Sequence, residues 1–280
     1  MLHLTRLLAF LTIALLALPA MAESPQKEAL TKELVKLSGL EYQLRQLPLV
    51  TMSQLAEQQG KVPEPMYKAF QRVFRDAYNT ERLQRQVSKQ VEKDLNLETM
   101  RKVLEWLQTG LGKKITGLEE AASTPQGVQQ AQVFAKQLQA TPPVPTRVAL
   151  VRRLNIAADT TELNLNIAQS TAIAVATAMD AVQPRDRRLG QDRVRIQVER
   201  QRPQMRQAYD QMGIVQSLYI YQPLTDGELE RYVEFAESQL GREYHNVVTR
   251  AFEEALLDAT ALMGKALAEA MKQFKSRKAA

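Results

Sequence analysis

The sequence contains no cysteine, which excludes disulfides, thiolate metal sites and a cysteine nucleophile. Histidine occurs only at His3 and His245, too few for a histidine-rich metal centre or paired imidazole acid–base chemistry. Strand signals are scarce: Val/Ile/Thr alternation is brief, and no Asn-Gly or Asp-Gly turn separates two such runs. There is no Gly-rich phosphate loop, calcium loop or dinucleotide fingerprint, and no Gly-x-Ser-x-Gly nucleophile elbow. Neither a cofactor nor a metal is therefore expected. Aromatics are held to 6%, and beyond the N-terminus no stretch approaches the length of uninterrupted apolar residues that a membrane helix needs. What remains, 45% hydrophobic and 24% charged over 280 residues, is a globular composition rather than a disordered or membrane-embedded one.

The first residues have a different character. Arg6 precedes the apolar run Leu7 to Leu18, followed by Pro19 and the small-residue site Ala20-Met21-Ala22. This is the order of a cleaved secretory signal, and the apolar run falls short of the roughly 20 residues that span a bilayer. Residues 1–22 are accordingly expected to be removed, taking His3 with them and sending a soluble chain from Glu23 onward to a bacterial periplasm. Ser24-Pro25 then reads as a helix start, with Leu30, Leu34 and Leu37 on one face before Gly39.

Ala, Leu, Gln, Glu, Lys and Arg dominate the remainder, with apolar residues at helical periodicity. An internal echo runs through it. At a constant offset, Leu95 meets Leu224, Glu105 meets Glu234, Trp106 meets Phe235, and Leu111-Gly112 meets Leu240-Gly241. The stripe Met100, Val103, Leu104, Leu107, Leu111 answers Leu229, Tyr232, Val233, Ala236, Leu240, the spacing of a buried helix face. Thr225 or Asp226 can cap the second copy's helix, with Glu228 in its first turn. Gly241 either ends that helix in a left-handed turn or lets another helix pass close. Three prolines in Thr141-Pro-Pro-Val-Pro-Thr146 interrupt the helical pattern between the copies. The expected architecture is all-α, with helical unit 1 at 23–140, a Pro-rich linker at 141–146, and helical unit 2 at 147–280. Unit 2 ends in a long helix whose Phe252, Leu256, Ala259, Met263, Ala266, Ala270 and Phe274 recur like a seam. That stripe docks on its own unit or, less simply, forms a homo-oligomer.

Tyr221-Gln-Pro-Leu-Thr-Asp-Gly-Glu-Leu229, Tyr232-Val-Glu-Phe235 and Glu237-Ser-Gln-Leu-Gly-Arg242 resemble the bacterial exported domain-of-unknown-function family 2059. In the first copy Met100 replaces Leu229, Trp106 replaces Phe235 and Thr109 replaces Ser238, so it matches less well. The resemblance covers about 30 residues per copy and rests on packing and capping residues: Leu229, Phe235, Ser238 and Gly241, with Trp106 and Gly112. It implies an α-helical periplasmic fold and no particular activity.

Few residues suggest chemistry. His245 reads as a surface or helix-face histidine, with Ser238 its only conceivable nucleophile partner. Carboxylate pairs such as Glu119-Glu120 and Glu253-Glu254 are common, and Glu105 and Glu234 are the acids shared by the copies. All suit solvated helix faces better than a glycosidase cleft. Charge is more informative. The segment from Arg185 to Arg206 holds Arg185, Arg187, Arg188, Arg193, Arg195, Arg200, Arg202 and Arg206 against Asp186, Asp192 and Glu199. Guanidinium forks suit phosphate and carboxylate, which makes these arginines candidates for binding an anionic lipid or lipopolysaccharide surface, or an acidic partner protein. Nucleic acid is not expected, since the segment lacks stacking aromatics. The leading expectation is a binding, scaffold or chaperone-like interaction module, and catalysis is disfavoured. The alternative is a carrier of an apolar or anionic amphipathic small molecule, its head group held by the arginines. A cell-wall or ester hydrolase ranks last.

Overall fold

Short polar residues punctuate the chain into helices. The side chains of Asn79, Asn96, Thr109, Thr124, Thr225 and Ser238 each accept a hydrogen bond from the backbone N–H three residues on, at 2.8–3.2 Å, satisfying donors that a helix start leaves orphaned. The computed structural model describes residues 18–279 apart from 58 and 62, and every regular element among them is helical. In order these are α1 (Leu18–Leu37), α2 (Leu40–Ala56), α3 (Glu64–Ala77), α4 (Thr80–Asp94), α5 (Leu97–Gln108), α6 (Gly110–Ala122) and α7 (Pro125–Ala140). Then follow α8 (Pro145–Ala157), α9 (Thr160–Ala181), a 3-10 turn (Arg185–Arg187), α10 (Gln191–Glu199), α11 (Arg202–Ile220), α12 (Asp226–Glu237) and α13 (Gln239–Ala279). None of the described helices is long and apolar enough to cross a membrane.

Several boundaries differ from expectation. α1 begins at Leu18, so Pro25 lies inside the helix rather than in its first turn. Most of the expected signal segment, residues 1–17, lies outside the described residues. The proline-rich break occupies only 141–144, because Pro145 already starts α8, where its missing N–H costs nothing.

The two halves have parallel neighbour relations. α1 packs on α2, α4 and α5, and α8 packs on α9, α11 and α12. α2 meets α3 and α4 as α9 meets α10 and α11. The α1–α2 junction turns through Gly39 at φ 74°, and the α8–α9 junction turns through Asp159 at φ 52°. Each junction is held from another helix: Thr116 Oγ1 donates to the Leu37 carbonyl and Thr249 Oγ1 to the Ala158 carbonyl, both at 3.2 Å.

Both halves feed one apolar cluster, including Leu34, Leu83, Val87, Met100 and Val103 from the first and Val151, Leu218, Leu229, Val233 and Ala259 from the second. α13 lies along α9 and crosses α3, α4 and α5. Its seam residues Leu256, Ala259 and Met263 are buried against the chain's own helices. Ala266 is exposed, whereas Phe252, Ala270 and Phe274 are half-buried. Met263 and Leu267 join Val73, Ala77 and Ala178 in a second, smaller cluster.

Candidate functional site

The echoed helices meet their successors at sharp kinks. Thr109 ends α5 and caps α6; Ser238 ends α12 and caps α13. Each hydroxyl donates back to a carbonyl, Thr109 to Trp106 at 2.7 Å and Ser238 to Phe235 at 2.6 Å, and accepts from the N–H of Gly112 or Gly241. Gly241 therefore does not end a helix in a left-handed turn. It sits in the first turn of α13, where a Cβ would strike the Phe235 carbonyl; Gly112 stands likewise against Trp106. Gly112 correspondingly opens α6 and does not close α5. The same kink recurs at Thr124 and Gly127, outside the echo, again with a hydroxyl residue followed three positions later by Gly.

The kinks bring the aromatic residues of the two echoed segments together. Trp106 and Phe235 stack face to face, with ring centroids 3.9 Å apart and planes within 10°. Tyr232 lies 5.6 Å from Trp106. Beside this stack a cavity of about 350 Å³ opens between the halves, at the lower end of the range of small-molecule pockets. Ile115, Thr116 and Glu119 of α6 line it on one side, and Tyr244, His245 and Val248 of α13 on the other. These are matching positions in the echo.

The polar groups of the cavity are asymmetric. Glu119 Oε1 accepts from the Tyr221 hydroxyl at 2.8 Å and from the Tyr232 hydroxyl at 3.0 Å. Burial pushes the Glu119 carboxyl above its ordinary range, and the two tyrosine hydrogen bonds oppose that shift. Burial, reinforced by the Glu119 charge, raises both tyrosine hydroxyls well above theirs, so they remain protonated donors. His245 packs against Tyr244, Phe235 and Tyr232 at ring separations of 5.1, 6.2 and 6.5 Å. Its Nε2 is buried without a hydrogen-bond partner, and burial lowers its pKa to about 4. The ring is therefore neutral at neutral pH. Of the expected surface or helix-face positions, the structure shows a helix-face one: the kink after Ser238 turns that face of α13 towards the aromatic cluster.

The candidates named from sequence have other duties. Leu229 and Phe235 are buried, Trp106 is half-buried in the stack, and Ser238 is committed to its cap, unavailable as a nucleophile. Glu105 and Glu234 are exposed. Of the arginines, Arg202 and Arg206 both pair with Glu162 on α9, at 2.9 and 2.5 Å. Arg202 also holds Asn166 and Gln169. Arg195 pairs with Asp192 and Glu199 of its own helix, and Arg188 donates to the Gln183 carbonyl. Arg185, Arg187, Arg193 and Arg200 are exposed, with no ion pair among the described residues. None of the eight lines the cavity, so they do not hold the head group of a ligand bound there. Glu162 of α9 holds Arg202 and Arg206 away from the cavity.

Sequence reasoning missed Glu119 as a site residue. The signal was present: Glu119 shares a helix face with Ile115 and Ala122, and it stands where the second copy has Val248. Among the described residues no cluster of His, Asp and Glu is arranged to hold a metal ion. No family model, curated protein or solved structure matches the chain.

Proposed function

We propose that this chain is an exported periplasmic binding protein that carries a small, largely apolar ligand in the cavity between its two halves. The observation that carries this reading is the pairing, in one cavity, of aromatic walls with the carboxyl of Glu119, whose Oε1 is held by two tyrosine hydroxyls and which has no cationic partner there. Buried polar groups are ordinarily satisfied, and a ligand that completes them gains affinity and orientation. We further read the halves as copies of one duplicated six-helix unit, related to the family 2059 domains. The echo, the neighbour relations and the paired junctions at Gly39 and Asp159 support it. Cleavage after Ala22 would leave Ser24 and Pro25 in the first turn of α1.

Native mass spectrometry of protein isolated gently from the periplasm tests both points. The expected result is a chain beginning at Glu23 with an added mass of small-molecule size, lost when Val248→Trp fills the cavity. A bare wild-type chain would overturn the carrier reading, and a chain starting at Met1 the export reading.

A scaffold role is favoured by a separate feature. A groove of about 830 Å³ lies between α3 and the end of α13, walled by Pro63, Met66, Phe70, Met271 and Phe274. Such a groove accepts the apolar face of a helix or peptide, with the free arginines of 185–200 steering acidic partners. A protein-sized increment in the same mass spectrum would support it.

A further inference from the structure

The polar chemistry of the cavity selects among small molecules. Its lining residues include one carboxyl group, Glu119, and no lysine or arginine. Both tyrosine hydroxyls converge on Glu119 Oε1, leaving Oε2 without a protein donor among the described residues. His245 contributes a neutral ring to the wall, its Nε2 sealed from the cavity space. Around the Glu119 carboxyl stand Trp106, Tyr221, Tyr232, Phe235 and Tyr244, whose ring faces carry negative quadrupole charge. Carboxyl group and aromatic walls both favour positive charge and hydrogen-bond donors, and both disfavour an anion.

We propose that the cavity binds a small organic cation, a primary ammonium on an apolar body, with Glu119 as its counter-charge. This rests on the carrier reading and makes it specific. The ammonium supplies three donors; its hydrocarbon or aryl part lies along the Trp106–Phe235 stack. Tyr221 and Tyr232 hold the carboxyl group in place, and an entering ammonium favours its charged form against the burial that opposes it. The arrangement reverses the charge preference that the arginine-rich segment suggests for the protein as a whole.

The test is calorimetric titration of the full mature protein near neutral pH with three near-isosteres: phenethylamine, 2-phenylethanol and phenylacetate. Phenethylamine is expected to bind about tenfold or more tightly than the alcohol, as a charge-assisted hydrogen bond replaces a neutral one, and phenylacetate is expected not to bind. Glu119→Gln keeps the shape and the tyrosine contacts, so it should erase the preference for the amine while leaving the alcohol unchanged. Tyr221→Phe, which retains the charge, should preserve the preference. Thermal melting checks that each variant is folded. Equal binding of amine and alcohol, binding of phenylacetate, or an undiminished preference in Glu119→Gln would overturn the cation proposal while leaving the carrier reading standing. Absence of binding by all three would overturn the cation proposal, and the mass spectrum decides the carrier reading separately.

Discussion

His245 is enclosed by Tyr232, Phe235 and Tyr244, and protonating it would place a cation among rings with no hydrogen-bond partner for Nε2. Its folded pKa of about 4 lies below the ordinary 6.5, so between those values the unfolded chain binds the proton and the folded chain does not. Stability from this residue is complete above pH 6.5 and declines as pH falls towards 4, by about 2 kcal/mol at pH 5. Glu119 acts in the opposite sense. Its pKa is raised on folding, so it favours the folded state below its unfolded value and loses that contribution as pH rises through the folded one. Urea titrations of wild type and His245→Gln separate the two. The variant should lose less stability than wild type between neutral pH and pH 5, and parallel pH profiles would contradict a buried neutral imidazole. What sequence showed of this residue was its solitude. The inward face of α13 on which it lies follows from the kink at Ser238, and its aromatic surroundings come from elements far apart in the chain.

The helix–kink–helix element depends on a missing side chain. At Gly241 a Cβ would collide with the Phe235 carbonyl, whereas Gly227, one helix earlier, faces open space. Gly241→Ala should therefore destabilise the protein by about 1–3 kcal/mol, the range for forced overpacking. Gly227→Ala should be neutral or stabilising, by up to about 1 kcal/mol, because alanine is the better helix former. Chemical denaturation of both variants makes the comparison, and similar effects would mean that the close approach at the kink is unimportant. Elements of this kind were partly legible. A cap at Thr225 or Asp226, an acid at Glu228 in the first turn and the stripes ending at Leu111 and Leu240 follow from spacing alone; the structure makes Thr225 the cap, in a capping box with Glu228. Whether Gly241 closed one helix or opened the next did not, since both arrangements put glycine beside a polar cap, and only packing against the preceding turn distinguishes them.

For the molecule as a whole, α13 ties the halves together. Its Leu256 and Ala259 belong to the main cluster, and Met263 and Leu267 complete the smaller one with Val73, Ala77 and Ala178. A chain ending at Leu262 should lose about 3–6 kcal/mol, the worth of two large buried apolar side chains. Its sedimenting mass per particle should match that of the full chain, because the seam residues already face their own helices. A fall in the association state would instead assign the seam to a partner copy.

The all-helical class was determined by the sequence alone, through helical periodicity, strong helix formers and capping residues, which act over a few neighbours and need no knowledge of distant chain. The pairing of Trp106 with Phe235 across the echo, the placing of Glu119 between Tyr221 and Tyr232, and the pairing of Arg202 and Arg206 with Glu162 were decided only by tertiary structure. Each depends on which helix faces meet. A carboxylate beside an apolar stripe reads as solvated until the opposing helix is in place, and only that helix removes the water and supplies the hydroxyls that hold it.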